Sequence, residues 1–410
     1  MHTLIETTSG DLRVLLLENI HATAHSHFST DPRVRLTLEK GAFSPEQLIE
    51  RIKGVHVLGI RSKTHVTPEV IAAADELLAI GCFCIGTNQV ALDAANAKGI
   101  PVFNAPFSNT RSVAELVIGE LIMLTRHLPE RAREMHEGRW KKMATGSHEV
   151  RGKTLGIVGY GHIGSQVGVL AEAFGMRVIY FDVSSRLPMG NNQSVDSLDA
   201  VLAQSDFVTL HVPETPQTRM MIGATELARM KKGAHLINAS RGSVVDVDAL
   251  ALALKEGHLA GAAVDVFPEE PATNDDAFES PLRGMPNVIL TPHIAGSTEE
   301  AQAAIGKEVA ASLLNLLRTG GTMGAVNFPQ VELAPNPGTH RIVNVHRNVP
   351  GVLRDINRIV SDLNANIHAQ VLSTDPHLGY LLMDLDADVS SKVGTAVAAL
   401  PTNMHTRILS

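Results

Sequence analysis

Three short polar clusters in the second half of the chain carry side chains that can bind a carboxylate and move a proton. They are Asn238-Ala239-Ser240-Arg241-Gly242, Asp265-Val266-Phe267-Pro268-Glu269-Glu270-Pro271 and Thr291-Pro292-His293-Ile294-Ala295-Gly296, and each follows a short apolar run. Arg241 offers a planar fork that grips a carboxylate through two parallel bonds, which a lysine cannot copy. His293 titrates in the range needed to take a proton from an alcohol and to return it in the reverse direction. A neighbouring carboxylate such as Glu270 would orient the imidazole and raise its pKa by favouring the charged form. Asp265 is expected to support Arg241 or the cofactor side rather than to take protons. Singly, each residue is more often a cap, a surface acid or a core histidine. Together they stand at the ends of strand-like runs, where a doubly wound sheet binds its ligands. The set suits hydride transfer at a 2-hydroxy acid.

The element that must position them begins at Leu155-Gly156-Ile157-Val158, an apolar run followed by Gly159, Gly161 and Gly164 as G-x-G-x-x-G. A helical pattern from Ser165 to Phe174 and a second apolar run, Val178 to Phe181, lead to Asp182, roughly 20 residues past the first glycine. Strand, tight turn, helix, strand and acid form the dinucleotide fingerprint in its required context. Gly159 permits the turn, Gly161 lets the backbone approach a pyrophosphate, and Gly164 lets helix and strand pack closely. The helix N-terminus, His162 and Ile163 included, presents free N–H groups and a positive dipole end to the anion. Asp182 can accept from both ribose hydroxyls and would repel a 2′-phosphate, which favours NAD over NADP, with Arg186 nearby as the opposing influence. Asp265, Ala239 and Ser240 complete the expected cofactor contacts.

Around this core the chain reads as α/β. Strand-like runs at Phe207 to Leu210, His235 to Ile237, Ala262 to Val264 and Val288 to Leu290 join the two above, giving a predicted Rossmann-type doubly wound parallel sheet of six strands, with helices such as Asp246 to Leu254 between them. Upstream, Val14 to Leu17, Val55 to Ile60, Cys82 to Ile85 and Pro101 to Phe103 alternate with helical patterns at Ser44 to Ile52 and Pro68 to Leu78, a flavodoxin-like unit. Arg111 to Arg126 is a long amphipathic helix. Ser297-Thr298-Glu299-Glu300 reads as a capping box opening a helix from Thr298 to Leu317, which Gly320-Gly321 stops. Residues 322–338 are a linker or an extended excursion. The tail then runs βαββαβ: strands at Arg341 to His346, Ile367 to Leu372, Tyr380 to Leu385 and Thr406 to Leu409, helices at Pro350 to Leu363 and Val393 to Leu400, a small ferredoxin-like unit.

At 410 residues about two to three domains are expected. Net charge of −8 and a pI near 6.2 argue against nucleic-acid or anionic-membrane partners. No apolar run reaches the ~18 residues of a membrane span, and no signal peptide is apparent, so a cytoplasmic location follows by default. Cys82 and Cys84 read as buried thiols alternating on one strand. His21, His25 and His27 read as a solvated loop rather than a metal site, and no metal is expected. Trp140, the only tryptophan, is either a local core anchor or an anchor for a partner subunit.

The motifs at Gly159 to Gly164, Asn238 to Gly242, Asp265 to Pro271 and Thr291 to Gly296 resemble the D-isomer-specific 2-hydroxyacid dehydrogenases, and the tail resembles an ACT regulatory domain. The resemblance covers nearly the whole chain and puts Arg241, Glu270 and His293 at the family's catalytic positions. It implies a discontinuous substrate domain, 1–108 plus 296–335, an NAD-binding domain, 109–295, and an ACT domain, 338–410. The substrate domain would close over the cofactor and exclude water before hydride transfer. The combination implies 3-phosphoglycerate as substrate, with L-serine, the end product, as feedback inhibitor. Arg61, Ser62 and Lys63, with Lys40 and a neighbouring subunit's Lys142, would lie near the substrate phosphate or the cofactor cleft. Gly86, within Cys84-Ile85-Gly86-Thr87, and Asn109 match positions lining the substrate carboxylate, although the family often has glycine where Cys84 stands. His346, Asn348 and Asn366 match serine-contacting positions. A homotetramer is implied, with one contact through the nucleotide-binding domains and another through paired ACT units. The alternatives are a hydroxypyruvate or glyoxylate reductase with the same scaffold and a non-enzymatic NAD-sensing protein.

Overall fold

The computed structural model describes residues 4–6, 11–271 and 276–409. These form two compact units, one of 1–108 with 302–410 and the other of 109–301. In chain order, β1 (Leu4–Glu6) precedes the five strands of the N-terminal lobe: β2 (Leu12–Leu16), β3 (Val34–Leu38), β4 (Val57–Ile60), β5 (Ala79–Cys82) and β6 (Val102–Phe103). All five are parallel in the order β3-β2-β4-β5-β6. This is the flavodoxin-like 2-1-3-4-5 winding. β4 and β5 are wholly buried because helices cover both faces of a parallel sheet.

Several element boundaries differ from the sequence reading. The expected Cys82–Ile85 strand lies three residues earlier, at Ala79–Cys82. Past it the chain turns, and Cys84 bonds to the Gly86 carbonyl at 3.2 Å instead of pairing in the sheet. Cys82 is buried and Cys84 partly so, both as free thiols. The expected Pro68–Leu78 helix stops at Ala73, where Ala74 turns extended at ψ 112°. The Asp75 carboxylate then accepts from the Gly54 N–H at 2.7 Å, and Leu77 and Leu78 go into the core. His21, His25 and His27 are not in a loop: His21 caps the helix Ala22–Phe28, which carries the other two. β3 and this helix are too short and too polar on one side to stand out in sequence.

The second unit is one seven-stranded parallel sheet. Its strands are β7 (Thr154–Val158), β8 (Arg177–Phe181), β9 (Gln193–Ser194), β10 (Phe207–Leu210), β11 (His235–Asn238), β12 (Gly261–Val264) and β13 (Val288–Leu290). The spatial order β13-β12-β11-β10-β7-β8-β9 is the doubly wound 3-2-1-4-5-6 arrangement with one more strand beyond the sixth. β9, two exposed residues long, is the strand the apolar pattern could not signal. The strand order reverses between β7 and β10, which pair in register from Leu155–Phe207 to Val158–Leu210. That reversal is the topological switch point where such sheets bind ligands. The long helix Thr110–Arg126 packs its Val113, Val117, Leu121 and Leu124 face into the core of this sheet.

The helix Glu299–Thr319 starts one residue later than expected. Its cap is Thr298, whose hydroxyl accepts from the Ala301 N–H at 3.1 Å. Alanine in the third position leaves no side chain to answer back, so this is a single cap and not a capping box. Gly320 ends the helix at φ +75°. Residues 322–338 form an ordered excursion. Asn327 accepts from the Val102 N–H at 2.8 Å and donates to the Ile100 carbonyl at 3.0 Å, while Phe328 and Val331 are buried.

The tail is β14 (Thr339–Arg347), β15 (Ile367–Thr374), β16 (Leu378–Asp386) and β17 (Asn403–Leu409), with helices Val352–Asp362 and Ala387–Ala398. Its sheet order β17-β14-β16-β15 is the ferredoxin-like one, and β1 adds to it in parallel beside β17. Val343, Val345, Tyr380 and Leu382 of this sheet share a core with Leu313, Leu316 and Leu317 of the long helix.

Arg341 locks the tail to that helix. It forms a bidentate pair with Asp384 at 2.6 and 2.8 Å and donates to the carbonyls of Thr319, Leu333 and Ala334. All five guanidinium N–H groups are used, with Arg341 6% and Asp384 1% exposed. Arg341→Met strands a buried carboxylate and should destabilise this unit by about 3–5 kcal/mol, read as a lowered denaturation midpoint. A change under about 1 kcal/mol, the value of a surface pair, would contradict this account of the lock.

Candidate active site

The loop after β12 sets the geometry. Asp265 is 1% exposed, and its carboxylate accepts from the Thr291 hydroxyl at 2.6 Å, the Ile294 N–H at 2.8 Å and the Ala295 N–H at 2.9 Å. Its backbone carbonyl accepts from the His293 N–H at 2.8 Å. The acid therefore sits under the histidine loop. Of the two expected supports, Arg241 or the cofactor side, its bonds go to neither directly but to residues 291–295, which carry His293. His293 is held at φ +54°, a left-handed backbone that few non-glycine residues adopt.

From that backbone the imidazole meets Glu270, with Nδ1 donating to Oε2 at 2.8 Å. The other carboxylate oxygen accepts from the Phe267 N–H at 3.1 Å. Fixing Nδ1 as the donor leaves Nε2 as the nitrogen that can exchange a proton with a substrate. The Glu270 hydrogen bond raises the His293 pKa above its ordinary 6.5, against the opposing effect of burial. For Glu270, burial pushes the pKa upward, but the bonds from His293 and Phe267 outweigh it and the net shift is down.

Arg241 follows β11 and stands at the N-terminus of the short turn Gly242–Val244. Asn238 organises the loop: its side chain accepts from the Ser240 N–H and hydroxyl at 3.1 and 2.8 Å and donates to the Arg241 carbonyl at 3.1 Å. A Cβ on Gly242 would lie 2.0 Å from the Phe267 backbone, so only glycine lets the arginine loop close on the Glu270 loop. Arg241 is near enough to bias both the Glu270 and the His293 titrations. The sheet thus brings the guanidinium, the imidazole and its carboxylate together.

The dinucleotide fingerprint adopts the expected form. Gly159 is at φ +90°, and a Cβ on Gly164 would lie 2.2 Å from the Gly159 carbonyl oxygen. A Cβ on Gly161 would meet open space, and Gly161 caps the helix His162–Ala173 with no side chain covering its first N–H groups. That open cradle fits a pyrophosphate. His162 is exposed on the first turn, Ile163 packs partly into the core, and Ala239 and Ser240 are buried. Asp182 accepts from the Tyr160 and Ser184 N–H groups, both at 2.8 Å, with Arg186 at 3.7 Å. Free lone pairs on Asp182 can still receive ribose hydroxyls.

Other expected site residues are less gathered. Arg61, Ser62 and Lys63 follow β4 in the N-terminal lobe, with Arg61 partly buried and the other two exposed. Gly86 lies in the loop after β5, its carbonyl accepting from Cys84 and Gln89. Asn109 falls in the dinucleotide unit, its side chain against Gly296 and its buried Oδ1 without a partner. His346 is 3% exposed and bonds to the Asn344 carboxamide at 2.8 Å, whereas Asn348 and Asn366 are exposed on separate turns. Lys40 and Lys142 are exposed. Trp140, 80% exposed, is not a core anchor. Among the described residues no cluster of His, Cys, Asp and Glu is spaced to hold a metal ion, and no helix is long and apolar enough to cross a membrane.

Sequence reasoning missed Glu120, 1% exposed on the helix Thr110–Arg126. Burial, with a contribution from Asp265, pushes its pKa up to about 8, so it is a neutral acid behind the loop at neutral pH. Its signal was a charged residue on the apolar face of a helix.

A fold and site of this kind define a dehydrogenase class, and comparison with known proteins agrees. A family model described as D-isomer specific 2-hydroxyacid dehydrogenase, NAD binding domain, matches residues 118–295, and one described as AHAS small subunit-like ACT domain matches residues 342–402. The chain belongs to the D-isomer-specific 2-hydroxyacid dehydrogenase family and is an NAD-dependent oxidoreductase. It is 53% identical over 400 residues to D-3-phosphoglycerate dehydrogenase of Escherichia coli K12 and 52% identical over 398 residues to that of Dictyostelium discoideum. In both cases 97% of each chain is covered. Among solved structures it resembles the TT0316 protein from Thermus thermophilus, with TM-score 0.68, 32% identity and coverage of 75% of this chain and 97% of that one. It also resembles the Aquifex aeolicus D-lactate dehydrogenase complexed with NAD and lactic acid, with TM-score 0.67, 27% identity and coverage of 77% and 100%.

With His293 proposed as the base, oxidation requires its neutral form, so the rate should rise with pH across a limb displaced above 6.5, as the raised pKa requires. Glu270→Gln removes the charge that favours the imidazolium and should shift the limb to lower pH, with the plateau rate reduced roughly 10-fold or more. A limb that stays in place in the pH profile of this variant would contradict the assignment.

Proposed function

We propose that the protein oxidises D-3-phosphoglycerate to 3-phosphohydroxypyruvate with NAD, the opening step of L-serine synthesis. The observation that carries the reading is the Glu270–His293 hydrogen bond of 2.8 Å beside Arg241 at the strand ends. The choice of substrate follows relatives bearing that name at 52–53% identity over 97% of both chains. NAD, when bound, supplies the acceptor for the C2 hydride. Arg241 holds the substrate carboxylate. His293 Nε2 takes the hydroxyl proton as the C–H bond breaks, and Glu270 stabilises the imidazolium that results. In reduction the same imidazolium returns the proton. Gly86 and Asn109 are assigned to the carboxylate, and Arg61, Ser62 and Lys63 to the phosphate, whose charge a local basic group must answer in a chain of net charge −8.

The N-terminal lobe with the segment to about residue 335 is read as the substrate domain and the tail as an ACT unit that takes L-serine. His346, Asn348 and Asn366 are its assigned contacts. A cytoplasmic homotetramer completes the reading, with exposed Trp140 as a subunit anchor and Lys40 and Lys142 at the substrate.

The direct assay is NADH formation from 3-phosphoglycerate with and without L-serine, on the intact chain and on Arg61→Ala. Turnover that serine suppresses, and an Arg61→Ala loss of roughly 100-fold in kcat/KM with this substrate but far less in NADH oxidation by glyoxylate, is expected for loss of a charge-assisted pair. Equal loss on both substrates would favour the glyoxylate or hydroxypyruvate reductase, and absence of turnover would overturn the reading.

A further inference from the structure

Glu18 is an acid with no part in the chemistry above, yet it is 8% exposed and stands in a left-handed backbone at φ +58°, followed by Asn19 at +50°. Two backbone bonds pin this turn, from Glu18 N to the Gly41 carbonyl at 3.1 Å and from Asn19 N to the Glu39 carbonyl at 3.3 Å. Both carboxylate oxygens are engaged. Oε1 accepts from the N–H groups of Arg61 at 3.0 Å and Thr64 at 2.9 Å, and Oε2 accepts from that of Lys63 at 3.0 Å.

Three N–H groups converging from one short loop make an anion-binding nest. Here the anion in the nest belongs to the protein itself. From the other side Gln89, 4% exposed, donates to the Arg61 carbonyl at 2.7 Å and the Gly86 carbonyl at 3.3 Å. The basic loop is thereby tied both to β2, which ends two residues before Glu18, and to the loop after β5.

We infer that Glu18 is a positioning residue for phosphate recognition: by filling the nest with its own carboxylate it fixes the Arg61–Thr64 backbone and leaves the incoming phosphate to the Arg61 and Lys63 side chains. The inference rests on the assignment of that loop to the substrate phosphate. It also separates two physical effects of opposite sign. On charge alone, removing a carboxylate beneath two cations should tighten phosphate binding. If positioning dominates, removing it should weaken binding, because charge-assisted bonds to three N–H groups are lost and the loop is released. In Glu18→Gln the amide NH2 would have to face one of those N–H donors, so at least one bond becomes a clash of donors.

The test measures NADH oxidation by the full-length chain with 3-phosphohydroxypyruvate and with hydroxypyruvate, which lacks the phosphate. Glu18→Gln should raise KM for the phosphorylated substrate about tenfold, equal to about 1.4 kcal/mol, with a smaller effect on kcat and on hydroxypyruvate. A KM that falls, or equal losses on both substrates, overturns the inference. Glu18→Gly suits the φ of +58° and empties the nest. Added formate should then restore KM for the phosphorylated substrate, and failure of formate to do so in a folded variant counts against the carboxylate role. Should Glu18→Gln fail to fold, the glycine variant with formate decides. Should neither fold, wild-type hydrogen exchange decides: fast exchange at the 61, 63 and 64 amides refutes the bonds. A wild-type chain inactive on 3-phosphohydroxypyruvate would defeat the functional reading instead, independently of either variant.

Discussion

One buried carboxylate organises the chemistry of the dinucleotide unit. Asp265 receives three hydrogen bonds from residues 291–295 on its side chain and a fourth from His293 on its carbonyl. Those bonds hold His293 in a left-handed backbone, a state that costs about 1–2 kcal/mol for a residue with a Cβ. Without such a clamp the loop would relax and the ring would leave Glu270. The parallel sheet provides the other half of the constraint, because β11, β12 and β13 are adjacent and in register, so their ends share one edge. Gly242 then lets the loops after β11 and β12 touch. Arginine, carboxylate and imidazole come together because three neighbouring strands stop at the same level.

The other unit works by a related device. Polar side chains there fix backbone loops rather than perform chemistry. Glu18 and Gln89 hold the loop after β4, Asn327 holds the excursion to β6, and Arg341 ties the tail to the end of the long helix. In each case a side-chain donor or acceptor meets main chain, which is how irregular segments stay ordered without regular pairing. The tail sheet and the lobe share apolar residues on the helix Glu299–Thr319. A ligand that altered the tail sheet would therefore have a packed route into the lobe.

What the sequence made legible follows from periodicity and special residues. The fingerprint glycines were readable because each does a job no other residue can do, and Arg241, Glu270 and His293 because they follow apolar runs that only a buried parallel strand explains. The long helices and the βαββαβ tail were readable for the same reason. The short or polar elements were not: β9 has two exposed residues, β3 is only partly buried, and the helix Ala22–Phe28 carries Thr23, His25, Ser26 and His27 behind a histidine cap. The Thr298 cap was read one residue early because Ser297 and Glu300 fit the same pattern. Asp265 was placed at the site, but its bonds to the histidine loop were not foreseen. Its bonds reach residues roughly 30 positions away, and no local pattern encodes which backbone N–H groups a buried acid will meet. Glu18 was missed because nothing near it in sequence differs from an ordinary surface acid, and Glu120 because its one signal, a charge on the apolar face of a helix, went unused.

The central claim is that the Asp265 clamp, and not the mere proximity of an acid, keeps the His293 ring on Glu270. The most direct measurement is nitrogen and proton NMR of histidine-labelled protein, comparing the chain as it stands with Asp265→Asn. The account predicts a slowly exchanging, downfield Nδ1 proton on His293 that disappears in the variant although Glu270 is intact, because an amide cannot accept from all the donors the carboxylate satisfies. Persistence of that proton in a folded Asp265→Asn chain would contradict it.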